Sequence, residues 1–96
     1  MTDVDARDHV GPVLQKGAQA DAIITAIKRH NQDVLVLDRG AYLRVSVPQR
    51  CVLLRAAVEA SLQAAFELPS DLELVMPAFA GKLSMSREEA VWSFGT

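Results

Sequence analysis

Cysteine, histidine and paired carboxylates are the side chains through which a chain of this size could act as nucleophile, general base or metal ligand. The inventory is short: one cysteine, Cys51, and two histidines, His9 and His30. Cys51 lies between Arg50 and Val52 in a run that reads as a strand, where a small apolar side chain packs and an activated thiolate would need an electropositive setting and a base. His30 closes a helical pattern, where imidazole meets the exposed carbonyls of a helix end. Without paired ligand spacing these residues do not build a tetrahedral zinc site. Asp71 and Glu73 share one face if "DLELVM" is a strand, and Glu88 with Glu89 reads as turn polarity; solvated carboxylates account for both pairs. Glycines 11, 17, 40, 81 and 95 never approach a phosphate-binding spacing. No catalytic residue, metal ligand or cofactor-binding residue emerges.

Charge and length narrow the classes further. Ten basic against twelve acidic side chains give a formal net charge of -2 in 96 residues, half of them apolar. That balance offers no electrostatic footprint for a nucleic-acid backbone. The opening "MTDVDARDHV" lacks the apolar core of a secretory signal, and no uncharged run reaches the length of a membrane span. A lone cysteine fits a reducing compartment. The expectation is one cytoplasmic domain over residues 10–96 behind a mobile tail at 1–9 that includes His9.

The elements follow from periodicity. "VGPVLQKG" contains Pro12, which lacks the donor a central strand needs, so it reads as a strand at the margin of a sheet. Ala20, Ile23, Ile24 and Ile27 recur at helical spacing, with Asp21 in the first turn and Lys28 and Arg29 in the last, and the helix stops near Asn31. "DVLVLD", the Gly40 turn and "AYLRVSV" form strand, turn and strand, with Leu43, Val45 and Val47 on one face and Tyr42, Arg44 and Ser46 on the other. After "PQR" and a strand at "CVLL", Leu54, Val58 and Leu62 line a second helix that ends before Phe66. "DLELVM", "KLSM" and "EAVWSF" read as strands, the last with Ala90, Trp92 and Phe94 on one face, Trp92 and Phe94 being read as core-facing rather than as a docking surface. The expected fold is α+β: a small, mainly antiparallel sheet with two helices, in the order strand, helix, three strands, helix, strands.

One segment resists this scheme. "MPAFAGKL" stands where the chain should turn through water, yet Pro77, Ala78, Phe79, Ala80 and Gly81 carry neither charge nor hydroxyl. Together with the Gly-Pro strand at 10–14, it is apolar surface without chemistry, the kind that marks partner contacts. Phe79 either covers a sheet edge or docks on another protein.

"VGPVLQKG" before an Ile-rich helix, "VLDRGAYLRV", "LQAAFELPSDLELVM" and "FAGKL" resemble, in order and spacing over residues 10–94, the small effector proteins of soluble diiron monooxygenases. These are also called coupling or regulatory proteins. The likeness is greatest to the toluene and alkene branch; a departure is the "VPQRC" turn, where relatives tend to carry a glycine. The resemblance implies a non-catalytic component without cofactor that docks on the diiron hydroxylase near its active site. There it promotes the reactive conformation and couples NADH and oxygen consumption to alkene or aromatic oxidation, in a system that also holds a reductase and a Rieske-type ferredoxin. It implies that residues 77–82 approach the active-site helices. Candidate hydroxylase-binding residues are Val10, Gly11, Pro12, Pro77, Ala78, Phe79, Ala80, Gly81 and Lys82, with Arg39 and Lys82 orienting the encounter or serving as solvated turn charges. On the residues alone, a binding module for another protein or nucleic acid, or an enzyme using Cys51 or the Asp71 and Glu73 pair, remains open.

Overall fold

Gly11 and Pro12 organise the first sheet. In the computed structural model, which describes residues 8–95, they lie within β1 (His9–Gln15), followed by α1 (Ala18–His30), β2 (Leu35–Asp38), β3 (Tyr42–Pro48) and β4 (Arg50–Leu54). Then come α2 (Arg55–Leu62), α3 (Ser70–Val75), β5 (Ala78–Ala80), β6 (Lys82–Met85) and β7 (Glu89–Ser93). The strands form a four-stranded sheet, β2-β3-β1-β5, and a three-stranded sheet, β4-β7-β6, in which every pairing is antiparallel. The α+β class holds, with two sheets where one was expected.

β1 is interior, not marginal. It pairs with β3 at His9, Val10 and Val13 to Gln15, while Gly11 to Val13 pair with Ala80 to Ala78 on the other side. Pro12 is accommodated because the β3 ladder lapses at Gly11 and Pro12, where no donor is required. Gly11 has φ +143, and a β-carbon there would strike the Val45 carbonyl oxygen, so only glycine allows the backbones to approach this closely.

Between β3 and β4 stands only Gln49, whose left-handed φ of 69 carries the chain from one sheet to the other. The two sheets and the helices enclose one core, in which Val10 and Leu14 of β1 meet Val45 and Val47 of β3, Ile23 and Ile27 of α1, Leu53 of β4, Phe66 and Trp92. α1 packs against α2 and β4, burying the side that carries Ala20, Ile23 and Ile27 as its spacing predicts.

Several expectations are corrected. "DLELV" is helical: α3 buries Leu72 and leaves Leu74 76% exposed, and Met76, which caps its end, is buried as well. Its first turn is held by the Asp71 carboxylate, which accepts from the Glu67 N–H at 2.8 Å, and by Glu73 N–H donating to Pro69 O. Alternation in so short a run satisfies either period, and anchoring at its start decides. Asp71 and Glu73 thus point to different sides of a helix rather than sharing a strand face. Leu54 ends β4 instead of opening the helical face. His9 belongs to β1, opposite Pro48, rather than to a tail; positions 1–7 of that tail lie outside the described residues. Phe94 is 42% exposed instead of facing the core.

Candidate docking surface

Residues 77–81 are apolar for two reasons. Ala78, Phe79 and Ala80 form β5, so their backbone groups are drawn into pairing with Val13, Pro12 and Gly11 instead of depending wholly on solvent. Their other edge is open: β5 ends the four-stranded sheet, and it presents Pro77, Ala78 and Phe79 as exposed residues. Phe79 sits opposite Pro12 and is 45% exposed, so the ring half covers the sheet edge and half faces solvent.

Gly81 fixes where this strand ends. Its φ is +100, and a β-carbon would lie 2.6 Å from Val10 Cγ1 and 2.9 Å from Ser93 O. The turn between β5 and β6 is thereby wedged between β1 of one sheet and β7 of the other. Val10, Gly11 and Pro12 are buried beneath this turn rather than exposed beside it. Lys82 follows directly, exposed, with its stem along Gly95. Arg39 is not brought to this place. It lies in the β2–β3 turn, beyond the Tyr42 and Gln15 row, roughly 13 Å along β1 from the Gly11 and Ala80 row.

Elsewhere among the described residues the geometry brings no reacting groups together. Cys51 is fully buried opposite Trp92, and burial pushes its thiol up to about 12, so it stays protonated and inert. His9 Nδ1 and Ser46 Oγ are hydrogen-bonded at 2.9 Å, tying β1 to β3. His30 is exposed in the last turn of α1. Among the described residues no group of three or more His, Cys, Asp or Glu side chains could hold a metal ion. A polar groove of about 660 Å³ runs between Arg55, Glu59, Phe66, Pro69 and Glu88. Three of its charges are committed to each other: Arg55 Nη1 donates to Glu59 at 2.7 Å and Nη2 to Glu88 at 2.8 Å, while Glu59 also accepts the Phe66 N–H. These bonds favour the charged guanidinium, raising its already high proton affinity. The network braces α2 against the β6–β7 turn. Among the described residues, no helix is long and apolar enough to cross a membrane.

Two exposed neighbours of this turn were not among the candidate residues read from the sequence. Arg50 and Phe94 border the Gly81 turn, and only the β4, β6 and β7 registers reveal this. An exposed Arg beside "CVLL" and an aromatic after "EAVWS" carry no local signal of proximity to residue 81.

Comparison with known proteins agrees with a surface lacking chemistry of its own. The chain is 38% identical over 95 residues, 95% of this chain and 93% of the relative, to the alkene monooxygenase system effector subunit of Xanthobacter autotrophicus. A chain in a solved structure of the phenol hydroxylase and regulatory protein complex superimposes with a TM-score of 0.79 at 16% identity, covering 91% of this chain and 98% of that one. A second structure of that complex gives 0.76 at 19% identity, covering 90% and 99%. Residues 8–93, nearly all of the described fold, match the MmoB/DmpM family, and the chain belongs to that family.

Proposed function

We propose that this chain is the non-catalytic effector of a soluble diiron monooxygenase that oxidises an alkene or aromatic hydrocarbon. The observation that carries this reading is its 38% identity, over nearly its full length, to an alkene monooxygenase effector subunit. The protein works in the cytoplasm beside a hydroxylase, a reductase and a Rieske-type ferredoxin, and contributes no redox group. Its docking surface is the β5 edge and the turn after it, with Pro77, Ala78 and Phe79 in contact and Lys82 at the rim.

An effector of this kind acts by preferring one hydroxylase conformation, since equal affinity for both would shift nothing. A coupling free energy of about 1–3 kcal/mol changes the balance roughly 5- to 150-fold. Phe79 can supply a substantial part: 45% of its surface still faces water, which for an aromatic side chain of about 200 Å² leaves about 90 Å² to bury, or about 2 kcal/mol. Covering the β5 edge also removes an unpaired strand from solvent.

The test is steady-state oxidation by the purified cognate hydroxylase with its electron-transfer proteins while this chain is titrated. Product formed per NADH consumed should rise and saturate near one effector per active site. A flat titration would refute the effector reading. Phe79→Ala should then weaken the complex by about 2 kcal/mol, roughly 30-fold in Kd, without unfolding the protein. Wild-type affinity in the folded variant would remove Phe79 from the surface.

A further inference from the structure

The end of β7 lies beside the same turn and carries a second exposed phenyl ring. Phe94 N–H donates to Gln49 O at 2.9 Å, which continues the β4–β7 register by one row. Extending the β6–β7 register past Lys82 and Ser93 places Phe94 across from Gly81. Phe79 is two residues before Gly81 on one strand, and Phe94 faces Gly81 from the next. Both rings retain large exposure, 45% and 42%. Their backbones are held by the β1–β5 pairing and by the bond to Gln49. Such preorganisation lowers the ordering cost of a contact.

Two cations and one carboxylate stand near them, the Asp8 carboxylate accepting from Gln49 Nε2 at 3.2 Å in the row across from Phe94. Ser93 pairs with Arg50 on one side and Lys82 on the other, so two cations about 10 Å apart cross the outer face of the three-stranded sheet, one row from Phe94 and on the face away from Trp92. Both are exposed, and neither has an ion-pair partner among the described residues. In a chain whose formal net charge is -2, two unpaired cations one row from the exposed aromatics favour approach to an acidic surface, in which the rings would fill an apolar hollow.

We infer that Phe94 is a second aromatic anchor for the hydroxylase and that Arg50 and Lys82 steer it onto an acidic patch there. The docking surface thereby spans both sheets across the Gly81 turn. This rests on the proposed effector role and extends its surface from the four-stranded sheet onto the three-stranded one.

Calorimetric titration of the purified cognate hydroxylase with wild type, Phe79→Ala, Phe94→Ala, Phe94→Leu and Arg50→Gln tests it, each variant first shown to be folded by circular dichroism. Phe94→Ala should raise Kd about 10- to 30-fold and Phe94→Leu by less. Arg50→Gln should weaken binding a few-fold at low salt and make Kd less sensitive to salt, as loss of a rim charge does. If Phe79→Ala weakens binding while the Phe94 and Arg50 variants bind as wild type, the surface stops at β5 and the inference is overturned with the effector reading intact. If wild type itself does not bind the hydroxylase, both fall. Should Phe94→Ala unfold, wild-type affinity of the folded Phe94→Leu and Arg50→Gln variants overturns the inference.

Discussion

Replacing Gly81 with alanine should separate backbone strain from steric wedging at the junction of the sheets. Gly81 has φ +100, and its β-carbon would meet Val10 Cγ1 at 2.6 Å and both Val10 Cβ and Ser93 O at 2.9 Å. The unusual backbone conformation costs an alanine about 1–2 kcal/mol. Forcing atoms into packed surroundings adds about 1–3 kcal/mol, and Val10 is a β-branched, buried neighbour that cannot swing aside. The expected loss is about 3 kcal/mol, against a total stability on the order of 5–15 kcal/mol for such a domain. Gly40 provides the control: its φ is +86, but nothing lies within 4 Å of the position a β-carbon would take. Gly40→Ala should therefore show the strain alone, about 1 kcal/mol after the gain from a stiffer unfolded chain. Urea unfolding followed by circular dichroism would report both midpoints, and Gly81→Ala should also lower Tm by about 10–20 °C. Equal losses in the two variants would show that the turn is not wedged between Val10 and Ser93, and the picture of one surface bridging two sheets would fail with it.

Asn31 should matter more than its place at a helix end suggests. Its Nδ2 donates to Val52 O at 2.8 Å and to Ile27 O at 2.7 Å, while Oδ1 accepts from Val52 N at 2.9 Å. The amide thus pairs with the free edge of β4 like a strand residue, and Asn31→Ala should cost about 2 kcal/mol in urea unfolding, with a loss below about 0.5 kcal/mol contradicting this role. Cys51, buried and with its thiol pushed up to about 12, should react with an aromatic disulfide reagent only as the protein unfolds; rapid labelling of the folded protein would contradict its burial. The Asp38 carboxyl is held below its ordinary 3.8, first by the hydrogen bond from Lys16 and then by the Gly40 N–H. A depressed folded value means that its stabilisation is present above the ordinary value and is lost as pH falls through the folded one. The stability difference between wild type and Asp38→Asn should accordingly shrink on acidification from pH 7 towards pH 3 and stay small throughout at this exposed site; growth of that difference would refute the sign.

What the residues determine by themselves is local period and how few groups could do chemistry. The spacing of Ala20, Ile23 and Ile27 leaves only a helix able to bury all three, and the alternation of Leu43, Val45 and Val47 leaves only a strand. Cys51 without an adjacent base and histidines without ligand spacing argue against a reaction centre, but it is the burial of Cys51 opposite Trp92 and the helical placement of Asp71 and Glu73 that remove the two arrangements the residues left open. Tertiary structure decides the rest, because pairing joins segments far apart in the chain. Pro12 reads as a marginal residue since it lacks a donor, yet β5 arrives from far along the chain to pair with it, and the β3 ladder lapses at Pro12 so that the missing donor is not called on. The alternation at 71–76 fits strand and helix equally until Glu67 and Pro69 anchor its first turn. Phe94 alternates correctly with Trp92 but lies one row past the last ladder pair, so the same pattern that buries one ring exposes the other. Apolar composition at 77–81 can be read in the chain; that Phe79, Phe94 and a basic row meet around Gly81 depends on three strand registers that no local pattern encodes.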